Sequence, residues 1–322
     1  MIIYSPESIP NLLDFGIEIP LNADRSQKVF ENFRGHPEKI LIPKLLPIDK
    51  NEMLLAHNKD FSENLFNENA DREIIKCYEL MDEKGNFNRY NPNIQKYPFK
   101  DLVNKILLQA AGSKYSMEVA LKTGFSFFLG GGLHHAMTFG GRGFCLVNDI
   151  VIGIRSLQKN KKIKTAWVID VDAHKGCGTA EITQADDSIK TLSIHMGSGW
   201  PLEGPKNNQN GDLYPWFIPS DLDIPIEEGE ESLYLTKLKE GLLKLEGPPD
   251  LAVIVCGSDP FEKDELASTA KLKLNLSQLL ERDLLIYKFF KKLGVPQCYL
   301  MSGGYGSESH KVYSQFLEKI LY

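Results

Sequence analysis

Four apolar runs in this chain each end in a short turn that carries glycine, polar or titratable residues. Residues 125–129 lead into Gly130-Gly131-Gly132-Leu133-His134-His135, and residues 167–169 into Asp170-Val171-Asp172-Ala173-His174. Residues 251–256 lead into Gly257-Ser258-Asp259, and residues 297–301 into Ser302-Gly303-Gly304-Tyr305. Runs this short and this continuous fit strands buried on both faces. Strands are predicted at 166–170, 190–195, 251–256 and 297–301, with helix patterns over 147–158, 231–245, 276–293 and 309–321. Alternation of strand and helix implies parallel strands, right-handed crossovers and helices on both faces of one sheet. The expected fold is therefore α/β, with a central, mostly parallel sheet. No repeat or low-complexity linker divides the chain, so one domain is expected over residues 1–322. The clearest loop is 205–212, rich in Asn, Gly and Pro. Open parallel sheets bind ligands beyond the carboxyl ends of their strands, where these four turns should gather.

Charge and composition narrow the classes. Lys plus Arg number 37 against 43 Asp plus Glu, a net charge of −6, which argues against a protein that grips nucleic acid over its whole surface. No run of ~18 apolar residues offers a membrane span, and the first twenty residues lack a basic region followed by an apolar core. The five cysteines, Cys77, Cys145, Cys177, Cys256 and Cys298, form no C-x-x-C pair. They are expected to be buried thiols in a reducing, cytoplasmic setting, with no nucleic-acid or membrane partner.

The turns themselves suggest chemistry. At a strand end, residues i and i+2 point the same way, so Asp172 and His174 converge. Asp259 is positioned to add a third ligand from a neighbouring strand. Two carboxylates and one imidazole suit a divalent metal with open positions. The same residues also fit a helix-capping aspartate and a packed histidine. His134-His135 on a glycine turn can line one pocket, and histidine is the usual acid–base near neutrality. Tyr305 can offer its phenol to a developing oxyanion, or simply pack at a turn.

Taken together, the segments GGGLHHA (130–136), GRGFCLVND (141–149), DVDAHKGCGT (170–179), LSIH (192–195), GSDPFEKD (257–264) and SGGY (302–305) resemble the zinc-dependent histone deacetylases of the arginase–deacetylase fold. A weaker likeness lies in LLAHNKDF (54–61). The SGGY ending and a DAH segment not followed by histidine are most like the class IV branch. The resemblance implies one Zn2+ per chain on Asp172, His174 and Asp259, with His134, His135, Asp170 and Tyr305 as catalytic residues. His135 would be the main proton shuttle, Asp170 would orient His134, and Tyr305 would polarise the acyl carbonyl. Gly143, Phe144 and Gly303 would contact substrate, with Trp200 as the second wall of an acyl-lysine tunnel. Asp170 and Ser193 would help hold a monovalent cation such as K+. The implied substrate is an acylated lysine in a protein or peptide, and class IV likeness extends this to long acyl groups.

Two departures stand out. Lys175 occupies a position where the family usually has His, and Cys177 one where it usually has Asp or Asn, the partner of the second tandem histidine. Thiols accept hydrogen bonds poorly, so His135 either lacks its usual orienter or finds another. An arginase-like dimetal hydrolase would need further aspartates, but Cys177 and Pro260-Phe261 stand in the relevant places. A deacetylase of small acylated amines such as acetylpolyamines would share all the catalytic residues. An acyl-lysine binding module weakened in turnover is suggested by Cys177 alone.

Overall fold

The computed structural model describes residues 1–322 apart from Glu203, Pro205, Asn208, Gly211, Pro215 and Trp216. Part of the expected 205–212 loop therefore lies outside the described residues. Eight strands form one sheet: β1 (Ile2–Ile3), β2 (Ile40–Leu41), β3 (Phe125–Phe128), β4 (Ala166–Asp170), β5 (Ile189–Met196), β6 (Leu222–Ile226), β7 (Leu251–Val255) and β8 (Gln297–Leu300). Their order is β2-β1-β3-β8-β7-β4-β5-β6, and every pair is parallel. The helices are α1 (Arg25–Phe33), α2 (Lys50–Met53), α3 (Lys59–Asn64), α4 (Ala70–Cys77), α5 (Phe99–Thr123), α6 (Asp149–Lys159), α7 (Cys177–Thr183), α8 (Tyr234–Lys244), α9 (Leu276–Leu293) and α10 (His310–Leu321).

Strand side chains alternate between two cores. Trp167 and Ile169 of β4 join Leu192, Ile254 and Tyr299 under α1, α8, α9 and α10. Ala166 and Val168 join Val253, Val255 and Leu300 under α5 and α6. Each of the Val, Leu and Ile side chains among them contributes roughly 1.5–3 kcal/mol by leaving water. Both faces must then be apolar, which is why the runs read as continuous rather than alternating. A third apolar cluster packs α2, α3 and α4 against the outer side of α5 and α6.

Helix α9 follows its local signals closely. Asn275 accepts from the Gln278 backbone N–H and Gln278 returns to the Asn275 N–H, while Gly294 ends the helix at φ 69°. Helix α5 approaches the sheet closely at Gly112, where a Cβ would fall within 3 Å of three Phe128 ring atoms.

The topology places the four chemistry-bearing strands side by side, as β3-β8-β7-β4. Phe128, Leu300, Val255, Asp170 and Ser193 form one register row across the sheet. The turns beyond that row necessarily share one end of the molecule.

Candidate active site

Asp172, His174 and Asp259 meet at that end, all buried, with one ligand atom from each lying within 4.8 Å of the others. His174 Nδ1 is 3.0 Å from Asp259 Oδ2 and 3.4 Å from Asp172 Oδ1, while its Nε2 is 3.0 Å from Ser268 Oγ. Backbone donors hold the carboxylates: Ala173 N–H to Asp259 Oδ1 at 2.9 Å and Gly303 N–H to Asp172 Oδ2 at 3.0 Å. Ser302 Oγ adds a bond to Asp172 Oδ2 at 3.0 Å. A Cβ on Gly303 would fall 2.5 Å from Asp172 Oδ2 and 2.9 Å from Asp259 Oδ2, so only glycine leaves this cradle open.

The electrostatics fit a cation. Burial and the facing Asp172 push Asp259 up to about 7. Burial opposes charge on His174, but the hydrogen bonds and charges of Asp172 and Asp259 prevail and push it up to about 10. A proton thus sits where two buried carboxylates need positive charge, and a divalent ion would replace it. Two carboxylate oxygens and an imidazole nitrogen are a suitable donor set for zinc.

The tandem histidines flank this cluster. Gly132 and Leu133 donate to Asp149 at 2.9 and 2.7 Å, and Ser113 of α5 also bonds Asp149, fixing the glycine turn. His134 Nδ1–H donates to Asp170 Oδ2 at 2.6 Å, and its Nε2 is 3.7 Å from Asp172 Oδ1. His135 Nδ1 lies 3.4 Å from Cys177 Sγ, so the thiol stands where the usual carboxylate or amide partner was expected. Burial pushes the Cys177 thiol up to about 11, which leaves it neutral.

Aromatic side chains surround the histidines. Trp200 meets the His135 ring edge-on at 4.5 Å and the His174 ring at 5.6 Å. A side chain on Gly143, where φ is 55°, would collide with the Trp200 indole. Phe144 stands edge-on to Tyr305 at 6.4 Å. Gly143, Phe144, Trp200 and Tyr305 line one opening with His135 and His174. Gly303 lines the deeper cavity, but its N–H is taken by Asp172 and its carbonyl by Ser258 N–H and Tyr313 OH. Asp170 and Ser193 are register partners. Both Asp170 oxygens accept protein hydrogen bonds, and Ser193 Oγ is 3.0 Å from His195 Nδ1.

A family model described as "Histone deacetylase domain" matches residues 19–320. The chain belongs to that family. An uncharacterized protein of Picosynechococcus sp. is 30% identical over 212 residues, 65% of each chain. Histone deacetylase 2 of Arabidopsis thaliana is 25% identical over 299 residues, 89% of this chain and 69% of that one. Histone deacetylase B of Dictyostelium discoideum is 28% identical over 285 residues, 84% and 61% of the two chains. The matched stretches span between 33% and 69% of such curated relatives. The crystal structure of the HDA15 HD domain superposes with a TM-score of 0.68 at 15% identity, covering 99% of this chain and 88% of that one, a likeness of fold.

Within this histone deacetylase domain, several supporting residues escaped the sequence reading. Asp149 and Asp264, which accepts from Tyr305 N–H at 2.7 Å, sit in segments already recognised as motifs, and that was the available signal. His57, from the 54–61 segment, donates Nδ1–H to Met137 O and accepts Asn148 N–H at Nε2, both at 2.9 Å, tying two site loops together. Ser268 and Arg25, whose Nη2 donates to Ser302 O at 2.5 Å, had no local signal. Lys175 is buried, and its ammonium is paired with Asp223 and Ser220 rather than with Asp172 or Asp259.

Proposed function

We propose that this protein is a zinc-dependent deacylase that hydrolyses acyl-lysine amides, of the class IV branch. The carrying observation is the buried Asp172–His174–Asp259 cluster with two histidines beside it and an aromatic-lined opening above it. A zinc ion held there would supply Lewis acidity toward the amide carbonyl and lower the pKa of the attacking water. Gly143, Phe144 and Trp200 would confine the lysine methylenes and exclude bulk water. Burial and the charges of His134 and His174 hold His135 well below the usual histidine range. His135 is then neutral at physiological pH and takes the water's proton at Nε2, since Nδ1 faces Cys177. The same nitrogen returns the proton to the leaving amine. Tyr305 OH would donate to the oxyanion.

The cavity that His134 and His174 line is also lined by Ile9, Leu12, Ile19, Leu21 and Ile106, with Arg25, Asn22 and Gln109 among its polar residues. Its aliphatic lining supports acyl groups longer than acetyl. A potassium ion held by Asp170, Ser193 and the backbone around Asp172 and His174 belongs to the same reading.

Asp259→Ala should lose zinc, measured by elemental analysis, together with acyl-lysine hydrolysis. Full metal and full rate in that variant would sink the assignment. A panel of acetyl to long-chain acyl-lysine peptides and acetylpolyamines, run on one preparation, then fixes carrier and chain length. Preferential turnover of acetylpolyamines would overturn the protein-substrate half of the reading.

A further inference from the structure

Helix α9 carries two adjacent charges, Arg282 and Asp283, and both side chains are completely buried. Adjacent residues on a helix project about 100° apart, so burying both requires a specific reason. Arg282 Nε donates to Asp283 Oδ1 at 2.7 Å, which neutralises the pair. Its Nη1 then donates to two backbone carbonyls, Gly257 O at 2.8 Å and Val171 O at 3.1 Å. Val171 is the first residue beyond β4 and immediately precedes Asp172. Gly257 lies just beyond the neighbouring strand β7, two residues before Asp259.

We infer that Arg282 is a positioning residue for the metal cluster: one guanidinium nitrogen clamps the two turns that carry Asp172 and Asp259 and so sets the spacing of the carboxylates. A lysine cannot reproduce this, because its single ammonium lacks the planar fork that serves Asp283 and the carbonyls together. Asp283 keeps the buried cation from being unpaired, and the Tyr234 hydroxyl lies against the same guanidinium. A pair kept only for stability is poorly explained, since well-packed apolar residues often replace a buried ion pair at no loss. No other described side chain donates to both carbonyls.

The inference rests on the metal reading, so the experiment separates the two. Zinc affinity is measured by chelator competition, alongside thermal melts of the metal-free proteins, for the wild type, Arg282→Lys and the double variant Arg282→Met/Asp283→Leu. If the wild type binds no zinc, the metal reading fails first and takes this one with it. If the wild type binds, both variants should bind zinc ~10–100-fold more weakly, the range seen when a group that orients metal ligands is lost. The metal-free double variant should melt lower by no more than the loss of two carbonyl hydrogen bonds explains, because its ion pair is replaced rather than broken. Zinc affinity within twofold of the wild type in whichever variant folds overturns the inference. So does a drop in melting temperature that is the same with and without zinc, which marks a purely structural role.

Discussion

His134 and His135 are neighbours in sequence, their rings 3.9 Å apart, yet they sit in opposite environments. Burial disfavours charge on both. At His134 the carboxylates of Asp170 and Asp172 outweigh it and push the imidazole up to about 9. At His135 nothing outweighs it: the flanking cations add to burial, and the hydrogen-bonding neighbour is a neutral thiol. One histidine is built to hold a proton and the other to lack one. Two identical side chains thereby acquire different tasks from the atoms behind them rather than from their own chemistry.

The contrast can be broken most severely at His135. His135→Ala should cost ~10²–10⁴-fold in kcat with zinc content unchanged, and a loss under about fivefold would assign the proton to another group. The His134 side is tested by Asp170→Asn, which keeps the shape and removes the charge. The imidazole of His134 should fall from about 9 toward its ordinary range, with activity reduced roughly 10–100-fold. A histidine NMR titration together with kcat checks both, and an unmoved titration would mean that Asp172 alone holds the proton.

The smallest expected effect sharpens the comparison most. Cys177→Asp gives His135 the kind of partner His134 already has. An anionic acceptor favours the imidazolium, so the pKa of His135 should rise. Because His135 must be neutral to take a proton, the acidic limb of the kcat/KM profile should move to higher pH. The limb of the unaltered protein should lie below the usual histidine range. Profiles recorded at matched zinc occupancy decide the matter. A limb that stays put would show that Cys177 only packs and that His135 takes its orientation elsewhere.

Much of the scaffold was legible in the chain. The strands predicted at 166–170 and 297–301 agree with β4 and β8 to within a residue, and the helix at 276–293 agrees with α9. Double-sided burial makes central strands continuous in hydrophobicity, and the caps of α9 mark its ends. Helix α5 left a poor periodic trace because both flanks are covered, by the sheet on one side and by the outer helices on the other. Strands β1 and β2 are two residues each, too short for any period. Strand β6 contains Pro225, which an edge strand tolerates because one side of it needs no ladder donor.

The amino-acid order by itself determined that four strand ends would carry glycine turns with carboxylates, histidines and a tyrosine. Parallel pairing then had to bring those turns to one end, since every carboxyl terminus in such a sheet points the same way. Only the tertiary structure decided which groups touch. That His135 leans on Cys177 and under Trp200 depends on segments 42 and 65 residues away. That Arg282 reaches Val171 and Gly257 spans 111 and 25 residues. Local propensity and periodicity act over a few residues, so they place each element. The direction and partner of a buried polar side chain are set by what the rest of the fold leaves unsatisfied around it.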